Sequence, residues 1–130
     1  DYLEKFSPEK IQKNDAYKKI SFLQASAAAM PFEDSSFDLV YTSLALEQME
    51  EVRDRALNEI SRVTKKYVLM IEPFRDYNED GLRRDYIVSR DYFSARVSDL
   101  ERYNLKPVFV TGDFPCKLTL GVGIVLCEKI

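Results

Sequence analysis

The stretch ISFLQASAAAMPFEDSSFDLVYTSLALEQM, residues 20–49, decides the fold. Its pattern predicts a strand at Ile20–Leu23, a small-residue loop closed by residues 30–32, a polar turn at 33–36 and a second strand at Phe37–Tyr41. Each strand is followed by a loop at its carboxyl end. In an open α/β sheet that edge is where ligands bind, so the sequence predicts a binding site there.

The flanking residues predict further alternation of helices and strands. Val52, Ala56, Ile60 and Val63 share one stripe of an amphipathic helix over 50–63, and the apolar run at Tyr67–Ile71 is typical of a parallel strand covered on both faces. The remaining predicted elements are a short helix at Ser7–Asn14, a loop with a short helix at Phe74–Arg90, a helix at Asp91–Asn104 and antiparallel strands at Val108–Thr111 and Leu118–Cys127. In the last strand, Gly121 and Gly123 thin one face and allow a helix to approach closely.

Composition favours one globular domain over residues 1–130, since 45% of the residues are apolar and the net charge is only -3. Basic residues are scattered, which predicts no nucleic-acid footprint. The chain has no histidine and two cysteines, so neither a metal site nor Ser-His-Asp chemistry is expected. No apolar run approaches the ~20 residues that cross a membrane, and a cytoplasmic location is the default expectation.

The run AAAMPFEDSSFDLV at residues 27–40 resembles the signature of class I S-adenosylmethionine-dependent methyltransferases, of the type 11-like group. The resemblance implies a Rossmann-like, mostly parallel sheet with a C-terminal antiparallel hairpin, and S-adenosylmethionine as cofactor. It places adenine against Ser26, Ala27 and Ala28. The methionine end of the cofactor is then lined by three further residues: Thr42, Ser43 and Leu44. Ser26 stands where the family has an acidic residue, which removes a carboxylate acceptor for the adenine amino group.

The family's glycine-rich turn after a first strand is not found in this sequence, so the chain resembles the C-terminal two-thirds of such a domain, lacking the first strand. We therefore expect an unpaired sheet edge, which leads either to a homodimer or to repacking of Ile20–Leu23 towards Phe37–Tyr41. Weak cofactor binding by these 130 residues alone is also expected. Glu4 or Asp1 is a candidate ribose contact, with a solvated charge as the alternative.

Methyl transfer from a sulfonium needs positioning and exclusion of water more than side-chain chemistry. Glu47 is the candidate polar contact near the acceptor. The alternative is that Glu47 is a solvent-exposed acid at the start of a helix. Glu72 lies either at the ligand edge or simply in a Glu-Pro strand terminator, and Pro73–Arg90 either selects the acceptor or is a solvated connection. A small-molecule acceptor is expected.

Three functions remain open from the sequence. The first is methyl transfer, and the second is a methyltransferase-like module that binds a partner without cofactor, which Ser26 and the absent glycine turn favour. The third is an unrelated α/β protein such as a nucleotide-binding domain, against which the pattern from Met30 to Val40 argues.

Overall fold

The structure is a computed structural model that describes residues 19–90, 92–113 and 121–130. Its centre is a four-stranded sheet in the order β1-β2-β4-β3, with strands β1 (Phe37–Ser43), β2 (Thr64–Glu72), β3 (Leu105–Thr111) and β4 (Gly123–Lys129). β1 and β2 are parallel, whereas β4 is antiparallel to both β2 and β3. The predicted Rossmann-like sheet with a C-terminal antiparallel hairpin is therefore confirmed.

Helix α1 (Arg53–Val63) covers one face of this sheet. A 3-10 turn at Glu50–Val52 precedes the helix. The apolar stripe of α1 is buried, as the spacing predicted. Leu57 and Ile60 join a core cluster that includes Val68 and Met70 of β2 and Val125 of β4. Full burial of side chains of this size stabilises a fold by about 1.5–3 kcal/mol each, so this face fixes the crossover between β1 and β2.

The opposite face of the sheet is open in the described part of the chain. A row of register-matched residues crosses all four strands there, namely Tyr41, Leu69, Leu126 and Phe109. Tyr41 is 70% exposed and Phe109 55% exposed, while the other two are half-buried. The expectation that the Tyr67–Ile71 strand is covered on both faces is thus wrong for the described residues, since Tyr67 also faces solvent.

The strand predicted at Ile20–Leu23 is also wrong. These residues are exposed and form no strand, and among the described residues β1 pairs only with β2. Repacking of Ile20–Leu23 into the sheet beside Phe37–Tyr41 is therefore not observed. A β-favouring run becomes a strand only when a neighbouring strand accepts its hydrogen bonds, and none of the described strands does so. The homodimer through the β1 edge stays a prediction.

The helix predicted at Asp91–Asn104 is shorter than expected. Residues 92–96 are irregular, and a 3-10 helix spans Val97–Tyr103. Two carboxylates fix its start, because Asp99 accepts a hydrogen bond from the Arg96 N–H (3.0 Å) and Asp76 accepts one from the Val97 N–H (2.9 Å). Asn104 ends it at φ 59°, which confirms the predicted C-cap.

The segment after β2 contains a 3-10 turn at Arg75–Tyr77 and helix α2 (Gly81–Ser89), as predicted. The predicted helix at Ser7–Asn14, the candidate acids Asp1 and Glu4, and Leu118 and Leu120 of the predicted last strand lie outside the described residues.

Three glycines surround the ring or the carbonyl group of Tyr77. A Cβ on Gly112 would lie 2.7 Å from Tyr77 Cδ1, one on Gly123 would overlap the same ring, and one on Gly121 would overlap the Tyr77 carbonyl. Asn78 accepts a hydrogen bond from the Gly121 N–H (2.7 Å) and donates one to the Gly121 carbonyl (2.8 Å). We call the site that these glycines form around Tyr77 and Asn78 the seat. Gly121 and Gly123 are approached closely, as expected, but by a turn and not by a helix, and Gly121 lies before β4 and not within it as predicted.

Candidate active site

The carboxyl ends of β1 and β2 meet at one edge of the sheet and form the candidate site. β1 ends with Thr42, which is buried, and Ser43, which is exposed. Leu44 then turns the chain out of the sheet at φ 48°, and its N–H donates to the carbonyl of Ile71 (2.9 Å). A non-glycine residue rarely adopts this conformation, and such residues concentrate at functional sites.

Glu72 is the last residue of β2, and its side chain is fully buried. Its Oε1 accepts hydrogen bonds from two successive backbone groups of the β1 loop, the N–H of Ala45 (3.1 Å) and the N–H of Leu46 (3.3 Å). Burial raises the pKa of Glu72 and the charge of Glu47 adds to this, while the Ala45 N–H, the Thr42 hydroxyl and the Leu46 N–H oppose it. The structure places Glu72 at the carboxyl end of β2, bonded to the loop after β1, and a ligand-binding role for this edge stays a prediction.

Glu47 follows in the same loop, in the 3-10 turn Leu46–Gln48, and is half-buried. Its carboxylate lies close enough to the Tyr92 hydroxyl to affect the pKa of that group. Burial and then the Glu47 carboxylate raise the pKa of Tyr92 to about 12, with smaller effects from Tyr86 and Glu72. The Tyr92 hydroxyl therefore stays protonated at neutral pH and serves as a donor.

A second network holds Tyr92 in place. The carboxylate of Glu50, just before α1, accepts hydrogen bonds from the backbone N–H (3.2 Å) and the hydroxyl of Ser94, and it pairs with Arg53. Phe93 lies between them at φ 35° and is fully buried against Phe74, with ring centroids 5.7 Å apart. The start of α1 thus anchors residues 92–95 beside Glu47, although Glu50 and Ser94 are 44 positions apart in the chain.

The adenine-binding candidates form a tight turn. Ser26 and Ala29 make an isolated bridge, in which the Ala29 N–H donates to the Ser26 carbonyl (3.1 Å), and Ser26 Oγ accepts from the Ala28 N–H (3.2 Å). Ala27 is half-buried and packs against the core cluster, whereas Ala29 is exposed. Thr42 and Glu47 lie near Glu72, and Leu44 bonds to the neighbouring Ile71, whereas the bonds of Ser26 and Ala28 lie within their own turn.

Arg62 of α1 ties the loop from Met30 to Asp34 to the helix. Its guanidinium donates five hydrogen bonds of 2.7–3.0 Å, to the carbonyls of Met30 and Phe32, to Asp34 and to both oxygens of Glu59. Glu59 in turn accepts from the Met30 N–H (2.7 Å), and the Arg62 bond and this one lower the pKa of Glu59 to about 2. The acidic residue of the sequence motif, Asp34, therefore serves the loop's structure.

Sequence reasoning missed Tyr92, which carried no motif, although an aromatic residue after a charged loop is a weak signal. It did consider Glu72, but the partners of Glu72 depend on a loop conformation that no local pattern specifies. No group of three or more Cys, Asp or Glu residues suited to a metal ion occurs among the residues that the structure describes. Likewise, none of the described helices is long and apolar enough to span a bilayer.

Glu72→Gln is expected to gain stability relative to the parent chain as pH rises from about pH 4 to pH 8. A folded-state pKa above the ordinary 4.5 means that the native state binds more protons, so the contribution of Glu72 is fully present below 4.5 and is lost as pH rises through the folded-state pKa. Glutamine keeps an acceptor for Ala45 and Leu46 and does not titrate. Melting temperatures of both chains across this range measure the difference in stability. The lowered pKa of Glu59 makes stability depend on pH in the opposite direction, but it does so equally in both chains, so this contribution cancels from the difference. A difference that shrinks with rising pH would contradict the prediction.

The sheet order, the crossover helix and the polar loops at the carboxyl edge define a Rossmann-like methyltransferase fold. A SAM-dependent methyltransferase from Methanosarcina mazei superimposes with a TM-score of 0.63 at 16% identity, over 82% of this chain and 65% of that one. Geranyl diphosphate C-methyltransferase from Streptomyces coelicolor, solved with Mg²⁺, geranyl diphosphate and S-adenosyl-L-homocysteine, gives 0.66 at 9% identity, over 96% of this chain and 59% of that one. At these identities the likeness shows the fold.

The methyltransferase-domain family model matches residues 2–71, and the chain belongs to this family. Among curated proteins it is similar to the ubiquinone/menaquinone biosynthesis C-methyltransferases UbiE of Shewanella sediminis, at 29% identity over 98 residues, and Shewanella woodyi, at 28%. Each alignment covers 75% of this chain and 37% of the relative, so the chain spans little more than a third of their length.

Proposed function

We propose that this chain forms the acceptor-side part of an S-adenosylmethionine-dependent methyltransferase that acts on a small-molecule acceptor. The observation that carries the proposal is the placement of Glu72 at the end of β2, hydrogen-bonded to the loop after β1 that carries Glu47, with Tyr92 near Glu47. In the described part of the chain, the groups that shift the pKa values of Glu72 and Tyr92 include no cation. A site whose loop carries the Glu47 carboxylate suits a positively charged ligand such as a sulfonium.

The residues of both predicted cofactor segments fit the group. Ala27 and Ala28 carry the smallest side chains that could border a ring, and the exposed Ser43 lies next to the outward turn at Leu44. When bound, S-adenosylmethionine supplies an electrophilic methyl group. The chain's own contribution is to hold the acceptor in line, with the Glu47 carboxylate and the Tyr92 hydroxyl as acceptor and donor of hydrogen bonds. We propose that these 130 residues bind the cofactor weakly without a glycine-rich turn to approach it.

Ala27→Trp is expected to abolish cofactor binding by the full polypeptide that the gene encodes, because the larger ring fills the space for adenine. The matched control is Ala29→Trp, whose site in the same turn is exposed. Calorimetric titration with S-adenosylhomocysteine measures both, and circular dichroism checks that Ala27→Trp, which faces the core, remains folded. Equal affinity in the two variants would show that adenine does not bind at this turn. Absence of binding by the parent protein would overturn the proposed function.

Pro73–Arg90 is proposed to select the acceptor. A cavity of about 480 Å³ lies along this segment, with Arg75, Arg84 and Arg96 among its lining residues together with Glu79. Exchanging the segment with that of a relative is therefore expected to change the preferred acceptor while cofactor affinity stays within a few-fold. Competition assays with paired acceptors and calorimetry measure the two effects. A changed cofactor affinity with unchanged acceptor preference would make the segment structural.

A partner-binding module is the second candidate function. The open apolar face of the sheet, with Tyr41 and Phe109 more than half exposed, is the observation that favours it. A parent protein that retains a partner on this face but shows no S-adenosylhomocysteine binding would support this function over methyl transfer.

A further inference from the structure

The loop after β1 leaves the sheet in a way that creates a hydrogen-bonding requirement. Leu44 at φ 48° directs the next two backbone N–H groups, of Ala45 and Leu46, towards the end of β2. Leu46 is 2% exposed, so water does not readily satisfy its N–H. Both groups donate to the same oxygen of Glu72. Two successive N–H groups that converge on one anion form a nest, and the anion here is a side chain of the neighbouring strand.

A packing role alone does not explain this glutamate. It is fully buried, and among the residues that the structure describes the groups whose charge acts on it and on its neighbour Tyr92 are Glu47 and Tyr86, neither of which is a cation. A buried carboxyl group without a cation is costly, and an apolar side chain would fill the same volume at lower cost. What an apolar side chain lacks is an acceptor for the two N–H groups.

We propose that Glu72 is the positioning residue of the site: its carboxyl group holds the backbone of Ala45 and Leu46 so that Glu47, the next residue, meets Tyr92. A role of Glu47 and Tyr92 in holding the acceptor rests on the proposed function. The hydrogen bonds by which Glu72 positions the loop do not depend on that function, since they lie within the chain. Glu72 acts through Glu47 and the loop and has no assigned contact with the acceptor.

Amide hydrogen exchange measured by NMR on the chain, on Glu72→Gln and on Glu72→Leu tests the proposal. Both variants lose the charge, but only glutamine keeps an acceptor for the two N–H groups. We expect the Ala45 and Leu46 amides to exchange about tenfold faster or more in Glu72→Leu and within about threefold of the parent in Glu72→Gln. The amide of Val125, in the buried centre of the sheet, reports global opening and corrects for changed stability. A merely structural role would accelerate Val125 as much as the loop.

A second readout follows the consequence for the site. The nuclear Overhauser effect between the Glu47 side chain and the Tyr92 ring is expected to persist in Glu72→Gln and to vanish in Glu72→Leu. Equal protection of Ala45 and Leu46 in both variants, or an unchanged Glu47–Tyr92 contact in Glu72→Leu, would overturn the proposal. Neither measurement involves cofactor or methyl transfer. A result that overturns this proposal can therefore be told apart from one that overturns the proposed function.

If Glu72→Leu does not fold, the parent chain still decides the matter. The amide proton shifts of Ala45 and Leu46 are expected to follow the titration of the Glu72 carboxyl carbon with one shared midpoint, because the strength of both bonds depends on its charge. Amide shifts that stay constant while Glu72 titrates would overturn the proposal.

Discussion

Arg62→Met is expected to lower the melting temperature by several degrees and to raise the pKa of Glu59 from about 2 towards 4.5. Methionine keeps much of the length of the side chain but removes all five hydrogen bonds to the 30–34 loop and to Glu59. The backbone carbonyls of Met30 and Phe32 then lose their donor. Differential scanning calorimetry and NMR titration of the Glu59 carboxyl carbon measure the two effects.

Two control variants divide this network. Arg62→Lys keeps the charge, but an ammonium group cannot reach the same acceptors with the planar fork of a guanidinium, so it should restore only part of the stability. Asp34→Asn removes the charge of one partner, which is 78% exposed, and should cost little. The loss in Arg62→Met should persist in high salt, since two of its acceptors are uncharged carbonyls. Full recovery by lysine, or loss of the effect in salt, would show that charge alone matters.

The parts of the fold that the sequence predicted are those that local pattern specifies. β1, β2 and α1 were each predicted with the right type, and only their bounds shifted by a few residues, because apolar spacing marks the buried stripe of a helix and the apolar run marks a central strand. The antiparallel pairing of β3 and β4 followed from a turn between two apolar runs. The insertion of β4 between β2 and β3 was not predicted.

The errors arose where distant contacts decide the local conformation. Ile20–Leu23 has the composition of a strand, yet none of the described strands pairs with it. Residues 92–96 have helical spacing, yet the bonds between Ser94 and Glu50 and the conformation of Phe93 hold them irregular. Neither contact leaves a mark in the neighbouring sequence, so tertiary interactions override propensity there.

The sequence predicted which edge of the sheet and which loop form the candidate site, but not all of its side chains. The sequence placed Glu47 and Thr42–Leu44 at the carboxyl end of β1, and in the structure Thr42 and Glu47 lie near Glu72. It did not identify Tyr92, whose approach to Glu47 requires the fold of a segment far along the chain. Whether Ser26–Ala28 and Thr42–Leu44 bind the cofactor remains a prediction.

The glycines near the C-terminus form the seat for Tyr77 and Asn78, and so position the segment proposed to select the acceptor. Neither a cofactor loop nor strand propensity explains them. In this seat the Tyr77 ring occupies the volume where a side chain on Gly123 would lie, since an added Cβ falls 2.6 Å from Tyr77 Cζ and closer still to two other ring atoms.

Gly123→Ala is therefore expected to destabilise the chain by about 1–3 kcal/mol through overpacking. In a Tyr77→Ala background the ring is gone, and the same substitution should be neutral or stabilising, because alanine suits a strand better than glycine does. Urea unfolding of the four chains gives the coupling between the two positions.

Gly81→Ala is the matched control for this cycle. Gly81 has φ +61° with open space around its Cβ position, so alanine there costs about 1–2 kcal/mol through backbone conformation and not through contact. That cost should be the same in the parent chain and in the Tyr77→Ala background, whereas the cost at Gly123 should depend on the ring. A cost at Gly123 that is unchanged by Tyr77→Ala would show that the glycine serves the strand and not the seat, and would separate β4 from the positioning of the acceptor segment.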